Sequence, residues 1–327
     1  MKSFRHRLWV LALALAWPMS AGAAQFDLSL FHNEREALAD TVKWWAAEID
    51  KQTAGRVQFK AQYSGALSSA VETLNAVRNG SVPAGLAVAS FASGLIPPVA
   101  YLEPLFWLTA DLAAAEKALD AVQPRLEELF RPRGVEYLWL QPSYGLLVAC
   151  RDKHLKQPAD WKGVKIRAAG RWQGIQLTAL GAVPVAIDPG EQYLALQNKT
   201  VDCALSNGTL ALSLKLHEVA PKITYLRGSV NASMYVMNAR AWQQIAPADR
   251  EIVRAVSREA MRRALRHIIG EHEKAIETMK QGGADVYAPP EADLKATRSA
   301  MAVVFEKIGE AAGEAGKPIA AELRPTW

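Results

Sequence analysis

Residues 25–31 read QFDLSLF, and apolar and polar side chains alternate along them with the two-residue period of a half-buried strand. The period then changes. From Glu34 to Lys51, Leu38, Val42, Trp45 and Ile49 recur at spacings of four, three and four, which sets them on one face of a helix. Gly55 closes that segment, RVQFKAQY at 56–63 alternates again, and Ser69–Asn79 is a second helix stopped by Gly80. Strand, helix, strand, helix with short connections is the pattern of a mainly parallel sheet covered by helices, so the fold class is α/β.

Working outward, residues 86–90 are a short apolar strand candidate. Pro97, Pro98 and Pro104 break up the next stretch, expected as a loop turning Leu105, Phe106 and Trp107 inward. A helix is expected from Asp111 to Phe130, then the strand VEYLWL at 135–140, and the segment from Pro142 to Gly145 suits a crossing between domains. The second half repeats the logic: strands at 164–168, 184–187 and 201–205 alternate with helices at 172–180 and 190–198. Tyr235–Met237 is expected to return to the first domain. Pro247 near its start and Gly282-Gly283 at its end bound one long helix or a kinked pair, and Leu294–Ala312 is a last helix.

The first residues set the compartment. Lys2, Arg5 and Arg7 precede an apolar run from Leu8 to Trp17, Pro18 breaks it, and Ala21-Gly22-Ala23 is a small-residue cleavage pattern, so residues 1–24 are expected as an export signal peptide. The run is about ten residues long, well short of the roughly 20 that a spanning helix needs. Removing the leader lowers the formal charge from +5 to +2, and the remaining basic residues are scattered, which argues against nucleic acid as a partner. About 300 mature residues exceed what one hydrophobic core usually serves, so two domains are expected. Export allows Cys150 and Cys203 to pair, yet each sits in an apolar stretch where a free thiol would pack as a small hydrophobe, and the sequence leaves both states open. Two cysteines with no supporting histidine spacing speak against zinc.

The chain lacks G-x-S-x-G, G-x-x-x-x-G-K-[ST], H-E-x-x-H and G-x-G-x-x-G, which shifts the balance from catalysis toward binding. His267 and His272, five apart on a helix, point to different faces and are expected to be solvent-exposed.

Two segments are more specific. Ala159-Asp160-Trp161-Lys162-Gly163-Val164-Lys165-Ile166-Arg167 is one; Gly181-Ala182-Val183-Pro184-Val185, running on to Glu191-Gln192-Tyr193-Leu194-Ala195-Leu196-Gln197 and Val201-Asp202, is the other. Their order and spacing, with Thr53-Ala54-Gly55-Arg56-Val57 and Tyr63-Ser64-Gly65-Ala66-Leu67 before them, resemble the solute-binding subunits of tripartite ATP-independent periplasmic (TRAP) transporters, the DctP-type family. The likeness covers nearly the whole mature chain. It implies a periplasmic binding protein-like fold, two α/β domains joined by crossing strands with a ligand cleft between them. The expected division is 25–144 plus 232–271 for domain I and 145–231 plus 272–327 for domain II. It also implies a periplasmic, monomeric, non-enzymatic protein that binds a small carboxylate and hands it to TRAP membrane subunits, with no cofactor and no metal.

Arg167 falls where the family's ligand-carboxylate arginine lies, and a guanidinium at a strand end can offer a planar fork to a carboxylate. Departures from the pattern matter as well. Leu147 stands where many relatives carry a further arginine, Cys203 replaces a glycine, and Ser206, beside Asn207, replaces a frequent asparagine. Near the first strand, Phe31-His32-Asn33 occupies the place of a polar contact. The resemblance therefore points to a pocket with one cation fewer and more apolar surface, for a monocarboxylate with an apolar or aromatic body in preference to a sialic acid or C4-dicarboxylate. Phe31, His32, Phe91, Tyr144, Trp172, Ser206 and Asn207 join Arg167 as candidate contacts. A sensor subunit feeding a receptor kinase is the alternative among binding proteins, and a periplasmic hydrolase or lyase the alternative from another class.

Overall fold

The computed structural model describes residues 23–324. The leader expected at 1–24 lies outside them except for its last two residues, and Ala24 already begins the first strand. Among the described residues no helix is long and apolar enough to cross a membrane.

Two sheets organise the chain. The first holds β1 (Ala24–Ser29), β2 (Val57–Gln62), β3 (Ala84–Val88), β4 (Val135–Ser143) and β10 (Val230–Asn238) in the order β2-β1-β3-β10-β4. The second holds β5 (Leu146–Cys150), β6 (Lys165–Ala168), β7 (Val183–Ala186), β8 (Cys203–Asn207), β9 (Lys222–Tyr225) and β11 (Asp285–Tyr287) in the order β11-β9-β5-β8-β6-β7. β1 runs parallel to β2 and β3, and β6 parallel to β7 and β8, as helical crossovers require. The strands that arrive from the other sheet, β10 and β5, pair antiparallel to their neighbours.

The chain passes from the first sheet to the second between Ser143 and Leu146 and returns between Tyr225 and Val230. Gly145 makes the first passage with φ of +70°, and a Cβ there would stand 2.5 Å from Cγ of His272, so only glycine fits. His272 is thus buried and wedged beneath the crossing, a correction to the exposed position expected from its charged helix; burial lowers its pKa to about 3. Its ring nitrogens lie 3.3 Å from the Tyr144 amide and 3.1 Å from the Thr209 amide, and a neutral ring accepts one of them.

The first sheet's core is aromatic. Trp139 on β4 and Tyr235 on β10 are register partners and stack at 4.0 Å, with Trp45 of the helix Leu38–Gln52 tilted against both. In the second sheet strand alternation splits the core: Leu146, Val148 and Cys150 pack on one face, Leu147 and Ala149 on the other. Both faces are covered, so LLVAC is apolar throughout and carries no alternation, which is why this strand has no sequence signature. KITY at β9 and the short β11 likewise have none.

Residues 247–281 form a single 35-residue helix rather than a kinked pair. The expected last helix is broken into Glu291–Met301 and Val303–Leu323, the second of which is itself kinked at Gly313 (φ +56°), and the loop expected at 97–104 contains the 3₁₀ helix Pro97–Leu102. Val304, Ile308, Ile319 and Leu323 are buried in the first sheet's core, so the C-terminal helix belongs there by its packing, a placement that the division of the chain expected from sequence does not make.

Cys150 and Cys203 are register partners on β5 and β8 and are joined as a disulfide, which resolves the alternative left open above. The bridge closes a segment with a sequence separation of 53, and chain-entropy reasoning for a loop of that size assigns it about 4 kcal/mol. Urea unfolding with and without reductant checks this: the reduced protein, or the Cys150→Ala/Cys203→Ala double variant, unfolds at clearly lower urea, and coincident midpoints would contradict it.

Candidate functional site

Between the two sheets, at the carboxyl ends of their parallel strands, lies a cavity of about 40 Å³. Phe31, Glu36 and Leu38 reach it from the segment after β1, and Val88, Ser143, Val230, Asn231 and Ser233 from β3, β4 and β10. Arg167, Ala169, Leu205, Ser206, Asn207 and Leu210 reach it from the second sheet and the turn beyond β8. Ligands of open α/β sheets collect at such strand ends because the chain leaves the sheet there and exposes its loops and helix starts.

Arg167 is placed by the motif around it. Asp202 accepts from the Lys165 amide at 3.0 Å and donates its own amide to the Lys165 carbonyl at 2.8 Å, which pins β6 against the start of β8. Two residues on, the Arg167 side chain is 3 % exposed. Its Nε donates to the Ile187 carbonyl at 2.9 Å and its Nη1 to the Leu205 carbonyl at 3.0 Å, so the plane of the guanidinium is fixed, while Nη2 has no hydrogen-bond partner. The fork expected from the sequence is therefore partly engaged by backbone oxygens. Burial pulls the pKa down to about 10, with the Asp188 carboxylate opposing the shift, and the group stays a cation at neutral pH. Among the described residues Arg167 makes no direct ion pair, the Asp188 carboxylate acting on it from a distance, so Nη2 is left to be answered from the cavity.

Three further residues around the cavity have buried polar atoms in the same condition. Ser143 Oγ and Ser206 Oγ are buried without partners. Asn207 caps the helix Gly208–Ser213, its Oδ1 accepting from the Leu210 amide at 2.9 Å and from Thr209 Oγ1 at 3.1 Å. Glu36, which the sequence does not single out, is 2 % exposed and neither of its oxygens has a partner. Burial pushes its pKa up to about 8. The Thr209 hydroxyl stands close enough to offset part of that rise, but it gives its single proton to Asn207. Native proteins leave few buried polar groups unpaired, and several gathered around one cavity mark a place for a ligand.

Of the residues singled out from the sequence, Arg167, Ser206, Asn207 and Phe31 line this cavity. Phe91 and Trp172 line a neighbouring groove of about 340 Å³ that shares Ala169 with it. The Trp172 amide there donates to Glu103 Oε1 at 2.9 Å, and the Arg171 guanidinium lies 4.7 Å from the indole. His32 and Tyr144 line neither space. His32 is buried beside Phe31 and Tyr63, donates Nδ1–H to the Asn33 carbonyl at 3.2 Å, and has its pKa lowered by burial to about 4. Tyr144 is buried at the crossing with its hydroxyl donated to the Thr109 carbonyl. Leu147 packs in the second sheet's core and does not line the cavity. Sequence reasoning also missed Ser143, Asn231 and Ser233. The usable signal for these and for Glu36 was position: Ser143 ends β4, Asn231 and Ser233 begin β10, and Glu36 lies in the segment after β1.

The carboxyl of Glu36 gives a measurable pH dependence. An acid whose folded pKa lies above its unfolded value costs stability as pH rises, here through the window from 4.5 to about 8. The ligand-free Glu36→Gln variant is expected to gain stability over the unmodified protein progressively from pH 5 to pH 8 in urea unfolding; a difference that stays constant over that range would contradict it.

Residues 28–311 match the family model described as bacterial extracellular solute-binding protein, family 7. Among curated relatives, the 2,3-diketo-L-gulonate-binding periplasmic protein of Escherichia coli is 23% identical over 303 residues, covering 92% of each chain. The ectoine-binding periplasmic protein of Halomonas elongata is 23% identical over 94% of this chain and 91% of its own. Among solved structures, a TRAP periplasmic solute-binding protein from Desulfovibrio salexigens with bound orotic acid superposes with a TM-score of 0.86 at 22% identity, over 93% of this chain and 98% of that one. An extracytoplasmic solute receptor from Bordetella pertussis that binds pyroglutamic acid gives 0.84 at 20% identity, over 92% and 99%. These two structures share the fold.

Proposed function

The chain belongs to the bacterial extracellular solute-binding proteins of family 7, and on that premise we propose that it captures a small monocarboxylate between its two sheets and delivers it to TRAP membrane subunits. The observation that carries this reading is the buried guanidinium of Arg167, held in plane by two carbonyls with Nη2 left open. A carboxylate is the ligand group that answers both its charge and its planar donor geometry. Ser206 and Ser143 add hydroxyls for the remaining carboxylate lone pairs.

Among the described residues lining the cavity, Arg167 is the one cation, so a first carboxylate finds a counter-charge there and a second finds none. One carboxylate on the ligand fits that balance better than two. Phe31, Leu38, Val88, Leu205, Leu210 and Val230 supply an apolar wall for the rest of the molecule. Similar proteins have been solved with bound orotic acid and, as a dicarboxylate, malonate, and one binds pyroglutamic acid, which supports a compact acid as the ligand. The working compartment is the periplasm, as the leader and the family both suggest, and the protein acts by binding rather than by chemistry. Closing the two lobes over the ligand is a hinge motion that excludes water and strengthens the charge pair. The energy of transport comes from the membrane subunits.

Thermal-shift screening of small mono- and dicarboxylates tests the ligand class. Monocarboxylates are expected to raise the melting temperature, since a ligand that binds only the folded state stabilises it by mass action; stabilisation by dicarboxylates or sugar acids alone would overturn the assignment. For an acid that binds, Arg167→Ala is expected to cost about 2–5 kcal/mol by calorimetry, the loss typical of truncating one member of a buried charge pair. Retained affinity would refute the role of this residue.

A further inference from the structure

Capture of a carboxylate by Arg167 leaves Glu36 with nothing to bind. Its carboxyl oxygens are buried with neither in a hydrogen bond or ion pair among the described residues, and the residue lines both this cavity and an adjoining one of about 280 Å³ that includes Thr209. It belongs to the segment after β1 of the first sheet, whereas Arg167 projects from β6 of the second, so a ligand seated between the sheets meets them from different lobes. The neighbouring hydroxyl that could serve it, Thr209, donates to Asn207 instead. A buried acid with no partner is costly, and in a binding cavity the ligand is what can supply the missing donor.

We infer that the ligand is a small acid that also carries a nitrogen-bound proton, with its carboxylate on Arg167 and its N–H, amide or ammonium, directed at Glu36. This rests on the carboxylate role of Arg167 proposed above and adds the second point of recognition. An N–H or ammonium group is a pure donor at the position where the protein presents acceptors. It complements the carboxyl in either protonation state, and an ammonium also balances its charge when ionised. A carbocyclic acid of the same shape would leave Glu36 buried and unanswered. Sites that hydrogen-bond a ligand N–H or O–H reject the analogue lacking it far more strongly than apolar pockets discriminate by size. Because Glu36 and Arg167 sit on different lobes, such a ligand also ties the two lobes together when it binds.

Matched five-membered-ring acids test this by calorimetry on the full mature protein. Proline and 5-oxoproline carry the N–H; cyclopentanecarboxylate and tetrahydrofuran-2-carboxylate lack any donor beyond the acid group, and 1-hydroxycyclopentanecarboxylate carries O–H instead. The nitrogen acids are expected to bind at least about tenfold tighter than the other three, a gap of about 1.4 kcal/mol. In Glu36→Leu that preference is expected to fall below about threefold, and Glu36→Gln, which keeps an acceptor without the charge, to lie between. The comparison in the unmodified protein needs no variant to fold. Equal binding of the donor-free or hydroxy acids, or a preference that survives Glu36→Leu, would overturn the inference while leaving Arg167 in place. Failure of every acid to bind would overturn the carboxylate reading and this inference together. Arg167→Ala separates the two sites further, since it is expected to weaken all the acids alike rather than the nitrogen acids selectively.

Discussion

A guanidinium removed from water must recover its solvation from hydrogen bonds and opposing charge, and in this chain Arg167 recovers only part of it. The Ile187 and Leu205 carbonyls take two of its nitrogens and fix its plane. The third nitrogen is buried without a partner in a residue that lines the cavity. Backbone carbonyls orient the cation without neutralising it, which keeps the charge available for an anion that arrives from outside. A carboxylate of the protein in that place would satisfy the arginine permanently and close the site.

The rest of the fold can be understood as the means of holding that arrangement. β6 lies between β7 and β8, and Asp202 locks the start of β8 to Lys165, so Arg167 projects from a strand that cannot shift in register without breaking those bonds. The Cys150–Cys203 bridge fastens β5 to β8 in the same sheet. The passages at 143–146 and 225–230 run close to the cavity, and the first is shaped by Gly145 against the buried His272, which also contacts the Thr209 amide next to the Asn207 cap. The parts that join the lobes are thus in contact with the parts that line the site.

Much of the fold was legible because alternation and helical spacing report which faces are buried. QFDLSLF and RVQFKAQY became β1 and β2 within one or two residues, and Leu38, Val42, Trp45 and Ile49 all lie on the buried face of their helix. LLVAC was invisible as a strand because both its faces are covered, and KITY is too short to show a period. The C-terminal helix could not be assigned to a lobe from its own pattern, since the apolar stripe of Val304, Ile308 and Ile319 says that it is buried but not against what. At the site, Arg167 and Ser206 were legible through the motif that surrounds them. Glu36 was not. An acid just ahead of a helix reads as an ordinary first-turn charge in solvent, and only the fold turns it inward. Tyr144 and His32 illustrate the opposite error, aromatic residues near the site that serve the crossing and the core.

The most direct test is a crystal structure of the protein purified with the ligand it carries from its own host. The account predicts a small acid between the two sheets with a carboxylate oxygen within hydrogen-bonding distance of Arg167 Nη2. A ligand held in the cavity with its carboxylate away from Arg167, or an Arg167 side chain turned from the cavity to pair with an acid of the protein itself, would contradict it.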